Sequence, residues 1–225
     1  RPVAASASLT PGGCHALTVS VPSATVHGVR GRALELPVAY SAGGPAAHVQ
    51  VIWLFQRPRG PPRYLLGSVN RSLVPDLEYR HKFSMTPPNA SLRIAALRFS
   101  DEGSYVVKVN VHLPGNRTLS AHQKVLVTVD DPVVQPSVQS RPAAGAVEKV
   151  GNLTLTCAVA AGTRVRYQWL KDERPVRAGG RLGVSGDGSS LRIAPVSRAD
   201  VGHFRCLARN AVSAALSEAL APTIY

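Results

Sequence analysis

Leu191-Arg192-Ile193-Ala194, followed by Asp200-Val201-Gly202-His203-Phe204-Arg205-Cys206, decides the fold, because the chain carries the same pattern twice. Earlier stand Leu92-Arg93-Ile94-Ala95 and then Asp101-Glu102-Gly103-Ser104-Tyr105-Val106-Val107, and from Asp101 to Asp200 the offset is 99 residues. Each copy reads as a short strand, a turn carrying Asp, a Gly, and an aromatic residue opening the next strand. A repeat of about 100 residues matches one small β domain, so the 225 residues read as two tandem copies of one fold. Outside the repeat, short alternating runs recur, including Leu34–Tyr40, Val49–Phe55, Val125–Val129, Leu153–Val159 and Val165–Leu170. Gly, Pro, Asn and Asp break these runs, as in an all-β sandwich rather than an α/β fold. Asp130-Asp131-Pro132 interrupts one run. Pro fixes φ and withholds a ladder donor there, so the boundary is expected at this point. The expected organisation is a flexible lead over 1–16, a first domain over 17–130 and a second over 131–225.

In the second copy Cys157, Trp169 and Cys206 lie in order. With the Asp-x-Gly-x-aromatic-x-Cys pattern, this resembles the immunoglobulin superfamily. The resemblance implies a bridge from Cys157 to Cys206 across the two sheets, with Trp169 packed on it. Such a bridge belongs to an oxidising compartment. A zinc site is the other use for paired cysteines, and it would want four clustered ligands that the sequence does not supply. Phe204 stands where the family usually has a tyrosine whose hydroxyl braces the turn, so that hydrogen bond is expected to be missing.

The first copy departs from the pattern. It ends in Val107 where cysteine is expected, and Val38, before Trp53, takes the place of the partner cysteine. Val38, Trp53 and Val107 are expected in a core held by packing alone. The 69 residues between Val38 and Val107 exceed the 49 between the cysteines by 20, enough for about two edge strands with their turns. The first domain therefore reads as V-type without an inter-sheet disulfide and the second as the shorter I/C2-type. Lys82, before Phe83, resembles the basic residue that variable domains pair with the Asp of the turn, here Asp101; a solvated lysine is the alternative. Cys14 lies in the lead, either in a disordered tail or leader remnant or as a partner in an intermolecular disulfide.

The segment from Trp53 to Leu66 resembles the part of antibody light chains whose outer face mediates domain pairing. Parity sorts its residues. With Trp53 and Val107 inward, Ile52, Leu54, Gln56, Val106 and Lys108 point outward on the same sheet, bordered by Pro62 and Tyr64. That row is more apolar than solvation requires, and such patches mark interaction sites. A register slip would make the same residues core. Four Asn-x-Ser/Thr sequons, at Asn70, Asn89, Asn116 and Asn152, fit a secreted glycoprotein. On variable-domain topology the first three fall at one end, leaving the sheet face as the expected contact surface.

Lys plus Arg exceeds Asp plus Glu by 26 to 13, a net charge of +13. Arg dominates and both domains share the excess, as compositional bias would produce. Local clusters are Arg57/Arg59/Arg63, Arg80/His81/Lys82 and Arg174/Arg177/Arg181. No nucleic-acid motif accompanies them, so nucleic acid is not expected; a solvated basic face is the first reading, and heparan sulfate or an anionic cell surface is the better charged partner. The seven histidines show no metal-ligand spacing, and no Walker, Rossmann or GxSxG pattern occurs. No catalytic residue, metal or cofactor is therefore expected. Asp101 and Asp200 are explained by the repeat, and His203 by an outward parity position.

Val49–Phe55, Tyr64–Asn70, Val74–Tyr79, Pro87–Leu92 and Val127–Pro132, with Gly151–Cys157 and Tyr167–Lys171, are similar to the hepatocyte cell adhesion molecule family over about residues 17–225. That resemblance implies a type I single-pass membrane glycoprotein with its signal peptide removed, engaged in adhesion and in cis association on one membrane. The chain opens at Arg1 without a leader and has no apolar run near the ~18–20 residues that span a bilayer. A trimmed ectodomain piece is expected, with the membrane segment beyond Tyr225. The expected partner is a second copy of the chain or another cell-surface protein. The resemblance also implies the extracellular side of the plasma membrane, or a Golgi or centrosome and spindle pool.

Overall fold

The computed structural model describes residues 2–8, 16–42 and 48–225, and the chain divides into two compact units, Arg1–Val129 and Asp130–Tyr225. They are called domain 1 and domain 2 below. Cys14 lies outside the described residues.

Domain 1 is built from β1 (Val3–Ser8), β2 (Ala16–Val21), β3 (Thr25–Val29), β4 (Leu34–Leu36), β5 (Ala39–Ser41), β6 (His48–Gln56), β7 (Arg63–Val69), β8 (Ser72–Pro75), β9 (Phe83–Ser84), β10 (Leu92–Ile94), β11 (Gly103–Leu113) and β12 (Arg117–Asp130). One sheet has the order β3-β12-β11-β6-β7-β8; the others are β1-β2-β5 and β4-β10-β9. β4 and β5 join different sheets because Pro37 stands between them and can donate no ladder bond. The next residue, Val38, donates its N–H to the Ser91 hydroxyl at 3.0 Å instead. Alternation along β11 and β12 buries Tyr105, Val107, Val109 and Val111 beside Val125, Val127 and Val129. Trp53, Val38 and Val107 lie in the same core, and the buried Trp53 indole donates to the Ala90 carbonyl at 2.7 Å.

The lead is the point at which structure and expectation part. Val3–Ser8 forms a strand, paired antiparallel with β2 from Val3 opposite Val21 to Ser8 opposite Ala16. Its Ala and Ser side chains lack the bulky alternation that announces a strand. The edge of β2 nonetheless offers backbone groups that need partners, and small side chains do not prevent the pairing.

Domain 2 comprises β13 (Val134–Arg141), β14 (Leu153–Ala161), β15 (Arg166–Lys171), β16 (Arg174–Pro175), β17 (Leu182–Val184), β18 (Ser190–Ile193), β19 (Phe204–Arg209) and β20 (Ala214–Leu216). Its sheets run β13-β14-β18-β17 and β16-β15-β19-β20. Cys157 on β14 and Cys206 on β19 form a disulfide between them, with their Cα atoms 6.3 Å apart. Trp169 is the direct cross-strand partner of Cys206, and its indole donates to the Gly188 carbonyl at 2.7 Å. Gly188 adopts φ 83°, and a Cβ there would stand 2.0 Å from the Tyr167 carbonyl oxygen, so only glycine fits under this strand.

The repeated turn is built twice from the same interactions. Lys82 Nζ lies 2.7 Å from Asp101 Oδ2, and Arg181 makes a two-pronged bond to Asp200 at 2.7 and 3.2 Å. In each copy the Asp also accepts the backbone N–H three residues before it, from Arg98 and from Ser197, both at 2.7 Å. Burial pushes the Asp200 carboxyl up, but the bonds from Arg181 and Ser197 and the charges of Arg181 and Lys171 outweigh it and hold the carboxyl below its ordinary range. Arg181 therefore belongs to this turn, not to an independent surface cluster with Arg174 and Arg177.

Candidate functional site

The outer face of the six-stranded sheet of domain 1 gathers most of the residues expected at an interface. Because Trp53 opposes Val107, the neighbouring pairs Ile52–Lys108 and Leu54–Val106 share the opposite side of β6 and β11. Ile52, Leu54 and Val106 are half-buried and Lys108 is exposed. The sheet continues this row onto β7, where Leu54 pairs with Tyr64 across an irregularity at Trp53/Leu54. The extra residue in β7 lets Leu65 and Leu66 both enter the core while Tyr64 stays on the outer side.

Tyr64 is more than a border residue. Its hydroxyl donates to the Val74 carbonyl, tying β7 to β8 over the sheet surface. Gly67 makes room for it: a Cβ there would stand 2.4 Å from the Val51 carbonyl oxygen and 3.2 Å from the Tyr64 hydroxyl. Burial, and then the nearby Asp76 carboxylate, raises the Tyr64 phenol above its usual value, so it remains a neutral donor at physiological pH.

Gln56 and Pro62 stand at the margin of the row. Gln56 spends its amide on the β6–β7 connection, donating to the Gly60 carbonyl at 3.1 Å. Pro62 is exposed in that connection, outside both strands. The apolar strip therefore centres on Ile52, Leu54, Val106 and Tyr64. Beside it runs a polar ladder: Asn110 donates to Gln50 at 3.1 Å and accepts from Ser120 at 2.7 Å. Lys108 opposes His122, and Val106 opposes Lys124, which carries the row onto β12. Extending the parity of Ile52 and Lys108 by two residues would have marked Gln50 and Asn110 in the sequence. The outward positions of β6 and β11, and those of β12 from Thr118 to Thr128, include no Asp or Glu.

The sequons of domain 1 lie at one end of this sheet. Asn70 donates its N–H to the Val49 carbonyl at 3.1 Å and opens the β7–β8 turn, with positive φ at Asn70 and Arg71, as a tight hairpin demands. Pro87 and Pro88, next to Asn89, line a cavity with Asn70 and His48. Asn116 sits in the turn after β11, whose His112 is paired with His48. Asn152 is exposed before β14 in domain 2.

A V-type sandwich with an apolar outer strip, followed by a disulfide-bridged second sandwich, defines a binding module of the immunoglobulin superfamily rather than an enzyme. Residues 21–130 match the immunoglobulin V-set domain family and residues 132–210 an immunoglobulin domain family. The chain is 59% identical to HEPACAM family member 2 of Bos taurus over 97% of this chain and 44% of that protein. It is 28% identical to the hepatic and glial cell adhesion molecule of Bos taurus over 93% of this chain and 49% of that protein. The crystal structure of murine CEACAM1b shares the fold, with a TM-score of 0.70 and 24% identity over 88% of this chain and 96% of that one. The chain belongs to the hepatocyte cell adhesion molecule family, and it spans about half the length of these relatives.

Proposed function

We propose that this chain is the adhesion ectodomain of a cell-surface glycoprotein and that domain 1 associates with a second copy through the outer face of its six-stranded sheet. The observation that carries the reading is the half-buried apolar strip of Ile52, Leu54, Val106 and Tyr64 on the outer face, flanked by the polar ladder of Gln50, Asn110 and Ser120. Apolar patches rimmed by polar groups are the usual cores of protein contacts. Glycans on Asn70, Asn89 and Asn116 would cover the adjoining end and leave this face open. Attachment to the membrane would come from a segment outside this chain. Comparing the intact mass before and after enzymatic glycan release reads the occupancy.

Sedimentation of the two-domain chain tests the association. The wild type is expected to dimerise at micromolar concentration. Leu54→Arg, a change on the outer face away from the core, is expected to give a monomer with an unchanged melting temperature. Dimerisation that survives Leu54→Arg overturns the choice of face. A second reading rests on Lys108, Lys124 and His122, which give the β11–β12 side of the face basic character with no acid among them. It assigns the face to a different surface protein of acidic character. A strict monomer in the wild-type run selects it.

A further inference from the structure

At the end of domain 1 remote from its sequons, an open cavity of about 440 Å3 has an aromatic floor of Phe55, Phe83 and Tyr105 and a rim of Arg57, Arg63 and Arg98. β6 separates the two ends: Val49 lies beside Asn70 and Arg57 follows Gln56, about 25 Å apart at ~3.3 Å per residue. The fold assembles this rim from distant parts of the chain. Arg57 and Arg63 flank the β6–β7 connection, and Arg98 precedes the turn of Asp101. Lys82 also reaches the cavity, but Asp101 neutralises it at 2.7 Å. The Arg63 guanidinium lies over the Tyr79 ring, 4.0 Å from its centroid, and meets Glu78 at 3.6 Å in an exposed and therefore weak pair. Among the described residues neither the Arg57 nor the Arg98 side chain has a carboxylate partner. Arg59, in the same connection, and Arg80 and His81, adjoining Lys82, are exposed and extend the positive charge beyond the rim.

We infer that this cavity and its basic margin bind a sulfated glycosaminoglycan chain, at a site separate from the outer sheet face. Guanidinium forks match the paired oxygens of a sulfate group. An aromatic floor accepts the less polar face of a sugar ring. Basic residues that continue past the cavity suit an extended polyanion rather than a single ion, because each further contact releases counterions. The cluster Arg174/Arg177 of domain 2 lacks this character: Asp172, Glu173 and Asp200 are interleaved with it.

The test uses the two-domain chain and a heparin-derived dodecasaccharide, with elution from immobilised heparin compared with elution from a sulfopropyl exchanger. Wild type is expected to elute from heparin at distinctly higher salt than from the exchanger. Arg57→Ala with Arg98→Ala is expected to weaken the dodecasaccharide by about tenfold or more and to lower the salt slope by about two. Arg174→Ala with Arg177→Ala removes the same charge and is expected to change affinity less than about twofold, as non-specific charge would not. All four side chains are exposed, so both variants are expected to melt with the wild type. Equal weakening by the two double variants overturns the site, as does a wild type that shows no preference for heparin over the exchanger. Sedimentation of the Arg57/Arg98 variant is expected to match wild type, which keeps this outcome distinct from that of the sheet-face reading.

Discussion

The two domains solve the same problem with different bonds. Each anchors a buried tryptophan indole on a backbone carbonyl, at Ala90 in domain 1 and Gly188 in domain 2. Each ties its turn with a cation–Asp pair at equivalent positions of the repeat. Domain 2 then joins its sheets with Cys157–Cys206 and has Phe204 where a hydroxyl could brace the turn. Domain 1 has Val38 and Val107 instead of cysteines and does possess the hydroxyl: Tyr105 donates to the Asp101 carbonyl at 2.7 Å. Domain 1 also gains core. Among the described residues its buried apolar cluster is more than twice the size of that in domain 2. β7 supplies part of the difference through Leu65 and Leu66, and β7 and β8 together widen the outer face. A larger sandwich buries a greater share of its surface and can do without a cross-link; a smaller one gains most from it. The V-type extension thus adds core and outer sheet surface together.

The largest expected effect comes from giving domain 2 the solution of domain 1. Cys157→Val with Cys206→Val reproduces the Val38 and Val107 pair without the extra core. The bridge closes a 49-residue loop, worth about 4 kcal/mol on the chain-entropy account. Calorimetry of the two-domain chain is expected to show the domain 2 transition falling steeply while that of domain 1 stays in place. A double-valine variant whose domain 2 melts with wild type would mean that core size is not what separates the domains.

Acid is expected to act on domain 2 through Asp200. Its carboxyl titrates below its unfolded-state range, so the stability it contributes is complete above about pH 4 and is lost as pH falls through the lower folded-state value. The domain 2 melting temperature is expected to drop by several degrees between pH 5 and the acid limit. Asp200→Asn is expected to lower stability at neutral pH and flatten that acid slope. An unchanged slope would detach the Arg181–Asp200 pair from the acid response.

Much of this contrast is legible in the sequence. The repeat follows from residue spacing, the Cys157/Cys206 pair and the Val38/Val107 replacements follow from the resemblance to the immunoglobulin superfamily, and the outward row follows from parity. What escapes is non-local or carried by residues with weak propensity. Arg181 looks like a member of a surface cluster until its position in the repeat is matched with Lys82. The strand of Val3–Ser8 has no alternation to announce it, because the open edge of β2 sets its pairing. The extra residue in β7 shifts parity by one between Trp53 and Tyr64, and no local signal marks it. The basic cavity depends on bringing Arg57 and Arg63 beside Arg98, which only the closed sandwich does.

The smallest effect isolates the hydroxyl. Burial, and then the charge of Asp101, pushes the Tyr105 phenol up, so it remains a donor throughout the ordinary pH range. Removing it in Tyr105→Phe leaves the ring packed against Phe55, whose centroid is 4.9 Å away, and deletes one hydrogen bond. A loss of about 1 kcal/mol is expected in domain 1 alone. The reciprocal Phe204→Tyr places a hydroxyl at the matching position of the repeat in domain 2, where the ring is buried and the Asp200 carbonyl corresponds to that of Asp101. If the two turns are equivalent, it raises domain 2 by a similar amount in the same calorimetric trace. If domain 2 instead falls, the hydroxyl is buried there without its acceptor. The shared Asp, Gly and aromatic positions would then hold a common chain path without a common hydrogen-bond geometry.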